Sequence, residues 1–267
     1  MAYYEAGGGQ RVYFEHYRGE KTPVFLIHGW AMSSRVWVDT IEALQAAGHE
    51  VVAIDHRGCG QSDRDFDDLS INAIANDITG IVKMLGLRSV VLNGWSMGGA
   101  VAAEAARQLG PLAIGLILTC GASPRFVRTD DFPFGGEREN LLAMPGAISA
   151  NRATFFKNLA QGVCAKDVGQ PTIDWMWSIF MDTGPNVVMS LLDLTDLDQR
   201  PLLAALPFQV LSIVGGKDAI LQPEVGIEAA KCARHGQSVI FEDCGHAPFI
   251  EDAPRYMATL LDFLGRV

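Results

Sequence analysis

The feature that most constrains this chain is a series of short apolar runs rich in β-branched residues, most of them separated by longer stretches of helical periodicity. The runs are Arg11 to Tyr17, Pro23 to Ile27, Val51 to Ile54, Ser89 to Leu92, Leu112 to Thr119, Gln209 to Val214 and Ser238 to Glu242. A strand that is apolar on both faces has no side to turn to water. Strands of that kind alternating with helices predict a mostly parallel sheet covered on both faces, an α/β architecture. The first run is expected in an antiparallel N-terminal hairpin. Helices are expected at about Ser34 to Ala47, Ile71 to Leu85, Met97 to Leu109, Glu224 to Arg234 and Pro254 to Leu264. Ser33, Ser70 and Pro223 stand at N-cap or first-turn positions, and Gly48, Gly86 and Gly110 stand where a helix ends in a left-handed residue.

The alternation breaks between Ser123 and Leu206. Strand signals vanish there, and Phe155, Phe156, Trp175, Met176, Trp177, Met181 and Met189 accumulate in short helical patterns punctuated by Gly and Pro. This predicts a helical cap, residues 123–206, inserted into a core made of residues 1–122 and 207–267. Most of these side chains are expected to pack the cap onto the core. Phe126, Phe155, Trp175, Trp177 and Met181 are candidates to line a substrate pocket, since adaptable apolar side chains suit a ligand cleft.

With 267 residues, 49% of them hydrophobic, the chain can bury one large core without a second domain. Its net charge of −10 argues against general nucleic-acid binding, which needs a basic surface. Residues 1–10 lack the basic start and apolar run of a secretory leader, and no stretch reaches the roughly 18 apolar residues of a membrane helix. A cytoplasmic protein without a membrane role is the expectation. Cys59, Cys120, Cys164, Cys232 and Cys244 are odd in number and form no CxxC pair, so buried free thiols are expected rather than disulfides or a metal site.

Chemistry enters at Gly94-Trp95-Ser96-Met97-Gly98-Gly99, between the run ending at Leu92 and the Ala-rich helix ending near Leu109. A GxSxG sequence at a strand-to-helix turn presents a serine above the strand ends, the nucleophile elbow. A serine hydroxyl needs a base to take its proton and a carboxylate to orient that base. Asp218 follows the run ending at Val214 and His246 follows the run ending near Glu242, so both fall at the carboxyl edge of the sheet, in the order Ser, Asp, His. His16, His49, His56 and His235 read as surface or structural groups, and His28 adjoins the oxyanion loop. Asp243, Asp252, Asp130 and Asp131 are the rivals of Asp218. The oxyanion donors are expected to be the backbone N–H groups of Met97 and of Trp30, in the His28-Gly29-Trp30 turn.

Two other motifs read as structural, the first as a scaffold turn and the second, an acidic run, as a solvated helix end. Asp55-His56-Arg57-Gly58-Cys59-Gly60-Gln61-Ser62 lacks the Gly-Lys-Ser/Thr ending of a phosphate loop, and Asp193, Asp196 and Asp198 lack the glycine and terminal glutamate of a calcium loop. No metal site is expected.

Taken together, these residues resemble the α/β-hydrolase superfamily along nearly the whole chain. Within it, His28-Gly29-Trp30, the Ser96 motif, Ala122-Ser123-Pro124-Arg125-Phe126 and Gly245-His246-Ala247-Pro248-Phe249-Ile250 most resemble the carboxylesterases of biotin synthesis that demethylate pimeloyl-carrier-protein methyl ester. The resemblance implies the α/β-hydrolase fold and hydrolysis of small to medium carboxylic esters through an acyl-enzyme, with no cofactor. It is incomplete at two points. The Asp55 turn is closer to general esterases and cofactor-free haloperoxidases. The cap carries ten acidic residues against seven basic ones, which argues against an acidic carrier protein as partner. Perhydrolysis, and cleavage of a lactone or a carbon-carbon bond, are the rival chemistries of the same triad. A non-enzymatic ligand-binding protein is the rival class.

Overall fold

The computed structural model describes residues 2–267. Eight strands form one sheet: β1 (Ala2–Glu5), β2 (Arg11–Tyr17), β3 (Lys21–Ile27), β4 (His49–Ile54), β5 (Val90–Trp95), β6 (Ala113–Thr119), β7 (Gln209–Gly215) and β8 (Gly236–Phe241). Their order across the sheet is β1-β2-β4-β3-β5-β6-β7-β8. β1 and β2 form an antiparallel hairpin, β2 runs antiparallel to β4, and every later pairing is parallel. The runs read from the sequence are therefore all strands. β1 is the addition: it is a four-residue edge strand of alternating half-buried and exposed side chains, with no continuous apolar run to mark it.

The helices are α1 (Val38–Ala46), α2 (Ile71–Met84), α3 (Met97–Leu109), α4 (Arg138–Ala150), α5 (Arg152–Gly162), α6 (Gln170–Met181), α7 (Val188–Leu192), α8 (Arg200–Ala205), α9 (Pro223–Cys232), α10 (Pro248–Glu251) and α11 (Ala253–Leu264). α1 packs with α11, while α2, α3, α8 and α9 pack in series, and these two groups flank the sheet. The first helix differs from expectation at its start. Ser34–Trp37 is a 3₁₀ turn, and Ser33 makes no side-chain cap. Val36 N–H, which such a cap could have received, goes to the backbone carbonyl of Ser33 at 3.2 Å, and Ser34 N–H donates to the carboxylate of Asp55 at 2.6 Å. At α2 the expected cap is present, with Ser70 Oγ accepting from Ala73 N–H at 3.1 Å. Gly48, Gly86 and Gly110 all have positive φ.

Between β6 and β7 the chain is helical, α4 to α8, without a strand. Polar ties fasten this segment to the sheet layer. Trp30 Nε1 donates to Val187 O at 2.9 Å, Gln199 Nε2 donates to Ala100 O at 2.8 Å, and Asp193 accepts from Ile71 N–H at the start of α2 at 2.8 Å. Asp193 is thus a helix staple rather than the solvated helix end its acidic run suggested. Among the described residues no helix is long and apolar enough to cross a membrane. All five cysteines are free, with Cys59, Cys120 and Cys244 buried and Cys164 and Cys232 partly so.

Parallel register does the work of assembling a site. Ile27 lies beside Gly94, Trp95 beside Thr119, Thr119 beside Ile213, and Gly215 beside Phe241. The carboxyl ends of β3, β5, β6, β7 and β8 therefore share one edge, and the loops carrying Trp30, Ser96, Cys120, Asp218 and His246 all leave from it.

Candidate active site

Ser96 is the single residue between β5 and α3, held at φ 57° and ψ −126°. That conformation is strained for a residue with a side chain, and it persists because neighbours over-determine it. Ser96 N–H donates to Thr119 O at 3.1 Å, and Ser96 O accepts from Ala122 N–H and Gly99 N–H, each at 2.8 Å. The flanking glycines are required by space. A Cβ on Gly94 would collide with the carbonyl of Gly98, and one on Gly98 with the carbonyls of Ile27 and His28. The turn thus brings three segments of backbone into contact and leaves the Ser96 side chain on the cavity side.

Asp218 and His246 meet as the sequence order suggested. His246 Nδ1 lies 2.6 Å from Asp218 Oδ2, and both side chains are only 3% exposed. The other carboxylate oxygen, Oδ1, accepts from Ile220 N–H and Leu221 N–H at 2.9 Å each, so the carboxylate is fixed before it reaches the ring. None of the rival carboxylates takes this place. Asp243 pairs with Lys217 on the surface, Asp252 with Lys166, and Asp131 with Arg200. With Nδ1 committed to Asp218, the opposite ring nitrogen, Nε2, is buried and has no hydrogen-bond partner. It belongs to the wall that His246 shares with Ser96.

The two backbone donors singled out in the sequence are free. Among the described residues neither Trp30 N–H nor Met97 N–H donates to a protein acceptor. Met97 is the first residue of α3, so its amide also carries the positive end of that helix. The Trp30 loop is set by two stacked imidazoles. His28 and His56 lie 3.7 Å apart at 25°, both buried, which makes His56 a core group rather than a surface one. His28 Nε2 accepts His56 N–H at 2.9 Å, so Nδ1 carries the proton and donates it to Gly29 O at 2.7 Å. An imidazole used as donor on one side and acceptor on the other must be neutral, and burial pushes the His28 pKa down to about 4. Burial lowers the His56 pKa in the same direction.

A cavity of about 80 Å³ opens at Ser96 and His246. Its remaining walls are almost wholly apolar, with Phe126, Met144, Leu159, Val163, Phe180 and Leu191 coming from the helical segment or the loop before it. Of the five pocket candidates from the sequence, only Phe126 lines it. Phe155 sits behind the wall, edge-on to Trp30 at 6.4 Å. Trp177 turns away to give its indole N–H to Ala153 O at 3.1 Å, and Met181 is 37% exposed. Trp175 lines a different and larger surface groove of about 480 Å³, which includes Val36, Lys166 and Glu251 but neither Ser96 nor His246. The reason is helical phase. α6 turns Met176, Ile179 and Phe180 inward, and one residue along a helix rotates a side chain by about 100°. The missed residues Leu159 and Val163 carried a usable signal, since with Phe156 they repeat at three and four residues and so share a helix face.

One cluster of potential metal ligands occurs among the described residues, Cys120 with Asp218 and His246. Its chemistry does not suit an ion. His246 Nδ1 is already hydrogen-bonded to Asp218, and burial pushes the Cys120 thiol well up, leaving it protonated.

The model of a family described as "Alpha/beta hydrolase family" matches residues 24–260. The chain is 30% identical, over 249 residues, to a pimeloyl-[acyl-carrier protein] methyl ester esterase of Neisseria meningitidis serogroup B, covering 90% of this chain and 92% of that one. It is 26% identical to the non-heme chloroperoxidase CPO-A1 of Kitasatospora aureofaciens, over 97% of both. Among solved structures it superposes on the esterase EaEST of Exiguobacterium antarcticum with a TM-score of 0.94 and 25% identity, over 98% of both chains.

Proposed function

The chain belongs to the alpha/beta hydrolase family, and from that premise we propose that it is a serine esterase acting on carboxylic esters with small, uncharged acyl groups. One observation carries the reading: Ser96 on its strained turn and His246, fixed by Asp218 through Nδ1 and free at Nε2, face a single apolar cavity. In the proposed reaction Ser96 Oγ attacks the ester carbonyl as His246 Nε2 takes its proton. Asp218 keeps the proton-bearing Nδ1 in place and stabilises the imidazolium. The N–H groups of Trp30 and Met97 receive the oxyanion, where a donor already in place needs no reorganisation. His246 then returns the proton to the departing alkoxide, and water reverses the sequence to release the acid. The helices between β6 and β7 serve as the cap that keeps bulk water from this cavity.

The size and polarity of the cavity support the acyl preference. A cavity of about 150 Å³ holds benzene, so about 80 Å³ suits an acetyl to butyryl group. No cationic side chain lines it. Six of the cap's seven cations are paired with carboxylates: Arg125 with Asp198, Arg128 with Glu137, Arg138 with Asp196, Lys157 with Asp174, Lys166 with Asp252, and Arg200 with Asp131, while Arg152 hydrogen-bonds to Thr183. A free basic surface for an acidic carrier protein is therefore not part of the proposal. A second reading rests on the chloroperoxidase relative: peroxide in place of water as acceptor of the acyl group.

The test is Ser96→Ala assayed on p-nitrophenyl acetate, butyrate and octanoate, with fluorophosphonate labelling of both proteins. We expect loss of about four orders of magnitude or more in kcat, loss of labelling, and a wild-type preference for the shorter esters. A Ser96→Ala protein that keeps most of its activity refutes the assignment. Peracid formation from acetate and peroxide faster than ester hydrolysis favours the second reading.

A further inference from the structure

Glu251, at the end of α10, accepts four backbone N–H groups from two distant parts of the chain. Its Oε1 takes Gly245 N–H at 2.8 Å and Ala247 N–H at 3.3 Å. Its Oε2 takes Ala165 N–H at 2.7 Å and Lys166 N–H at 2.9 Å, and shares Gly245 N–H at 2.9 Å. Gly245 and Ala247 are the two neighbours of His246. Ala165 and Lys166 lie in the loop between α5 and α6, two residues after Val163, which lines the cavity.

His246 itself completes the junction. Its N–H donates to Val163 O at 2.7 Å, and its carbonyl accepts Trp95 Nε1–H at 2.7 Å. Three consecutive amides, 245 to 247, therefore end either on Glu251 or on the segment that Glu251 holds. The two segments touch closely enough that a Cβ on Gly245 would stand 2.7 Å from Ala165 N and 3.0 Å from Val163 O. The Lys166 ammonium adds a bond to Glu251 O at 3.3 Å.

We infer that Glu251 is a positioning residue for His246: its carboxylate pins the His246 loop to residues 163–166, so the imidazole is held toward Ser96 only while that stretch of the helical segment is docked. The inference rests on the reading of His246 as the base. It follows from the donor count. A carboxylate offers two oxygens with about four acceptor positions, and the five contacts use both oxygens fully. No amide or shorter carboxylate can serve both donor sets. Glutamine has one acceptor oxygen and must give up either the His246 loop or the 165–166 amides, while aspartate keeps the charge but withdraws both oxygens by one methylene.

Wild type, Glu251→Gln and Glu251→Asp are compared by steady-state kinetics on p-nitrophenyl butyrate and by hydrogen exchange. We expect kcat to fall about 10- to 100-fold in E251Q, as for a reactive group displaced by a fraction of an ångström to an ångström, with KM within about twofold. Exchange is expected to quicken about tenfold or more at residues 163–166 and 245–247 together. E251D is expected to lose kcat as well, because the charge alone is insufficient. E251Q or E251D with kcat within about twofold of wild type overturns the inference, as does a loss of kcat with exchange unchanged at 163–166. If neither variant folds, wild type still decides: the amides of 165, 166, 245 and 247 should exchange within about threefold of one another, and rates about tenfold or more apart between the two segments refute a common clamp. A wild-type protein that fluorophosphonate leaves unlabelled at Ser96 overturns the esterase reading instead, and the exchange result judges the clamp separately.

Discussion

Acidification should loosen this protein through His28. In the folded state His28 is buried and neutral, with Nδ1–H given to Gly29 O and Nε2 receiving His56 N–H, and its pKa is down to about 4. In the unfolded chain it titrates near 6.5. The folded value is the lower one, so as pH falls the unfolded chain takes up the proton first. The stability that neutral His28 confers is whole above about pH 6.5 and is lost progressively toward about pH 4. At pH 5 the unfolded state gains about a thirtyfold statistical advantage, which is about 2 kcal/mol.

The comparison that isolates this term is wild type against His28→Gln, each unfolded in urea at pH 7.5 and pH 5.0. Glutamine keeps an acceptor for His56 N–H and cannot titrate. Asp55 and Asp77, whose carboxyls burial raises, act in both proteins and largely cancel in the difference, as does the burial that lowers His56, so that only the smaller part of the His56 shift that comes from His28 itself is counted with His28. Wild type should lose about 2 kcal/mol more than H28Q over this interval, seen as a midpoint falling about 1 M further in urea. Whether H28Q is less stable at neutral pH does not matter to the result. Equal losses, within about 0.5 kcal/mol, would mean that His28 does not stay neutral in the fold, and the hydrogen-bond assignment around the Trp30 loop would fall with it.

Three further outcomes can be checked directly. Asp218→Asn should fold normally, since its amide oxygen can still receive Ile220 and Leu221 N–H, while kcat on p-nitrophenyl butyrate falls about 10⁴-fold because Nδ1 loses its anionic partner. Leu159→Ala removes bulk from the cavity wall and should raise kcat/KM for the hexanoate ester relative to the acetate about tenfold, roughly the worth of a methylene or two in an apolar pocket. Arg57 and Asp77 form a bidentate pair at 2.6 and 2.8 Å, with side chains 11% and 2% exposed. Arg57→Ala should therefore cost about 3 kcal/mol in urea unfolding, and the R57M/D77L double variant less than R57A, because it leaves no charge unpaired.

How much of this was readable in the sequence follows from where the determining forces act. The parallel strands were legible because strands buried on both faces must be apolar throughout, a signal carried by consecutive residues. β1 was not, because an edge strand of four residues pairs through its backbone and needs no apolar run. Ser96, Asp218 and His246 were legible for a related reason. Each sits just past a strand whose end could be located, and a parallel sheet brings those ends to one edge whatever the helices do. The cavity wall was harder. Which side of α6 faces Ser96 depends on how the helical segment docks, and the large indoles of Trp175 and Trp177 drew attention away from Phe180. An indole must also place its N–H, and Trp177 does so at Ala153 O, off the cavity.

Glu251 was illegible for a deeper reason. Its partners Ala165 and Gly245 stand 86 and 6 residues away, and what they offer is backbone N–H, which every residue but proline possesses. No residue type marks such a donor. The same holds for Trp30 and Met97, whose side chains say nothing of their amides. The side chains proposed to react are thus announced by their chemistry and by strand order, while the groups that hold them are backbone atoms whose availability is decided by docking. This has a consequence for the helical segment. Val163 both lines the cavity and accepts His246 N–H, so in the proposed reaction an acyl group pressing on that wall bears on the same loop that aims His246. The proposed reaction therefore links acyl size to the position of His246: a group too large for about 80 Å³ should depress kcat as well as binding, because it strains the hydrogen bond that orients His246.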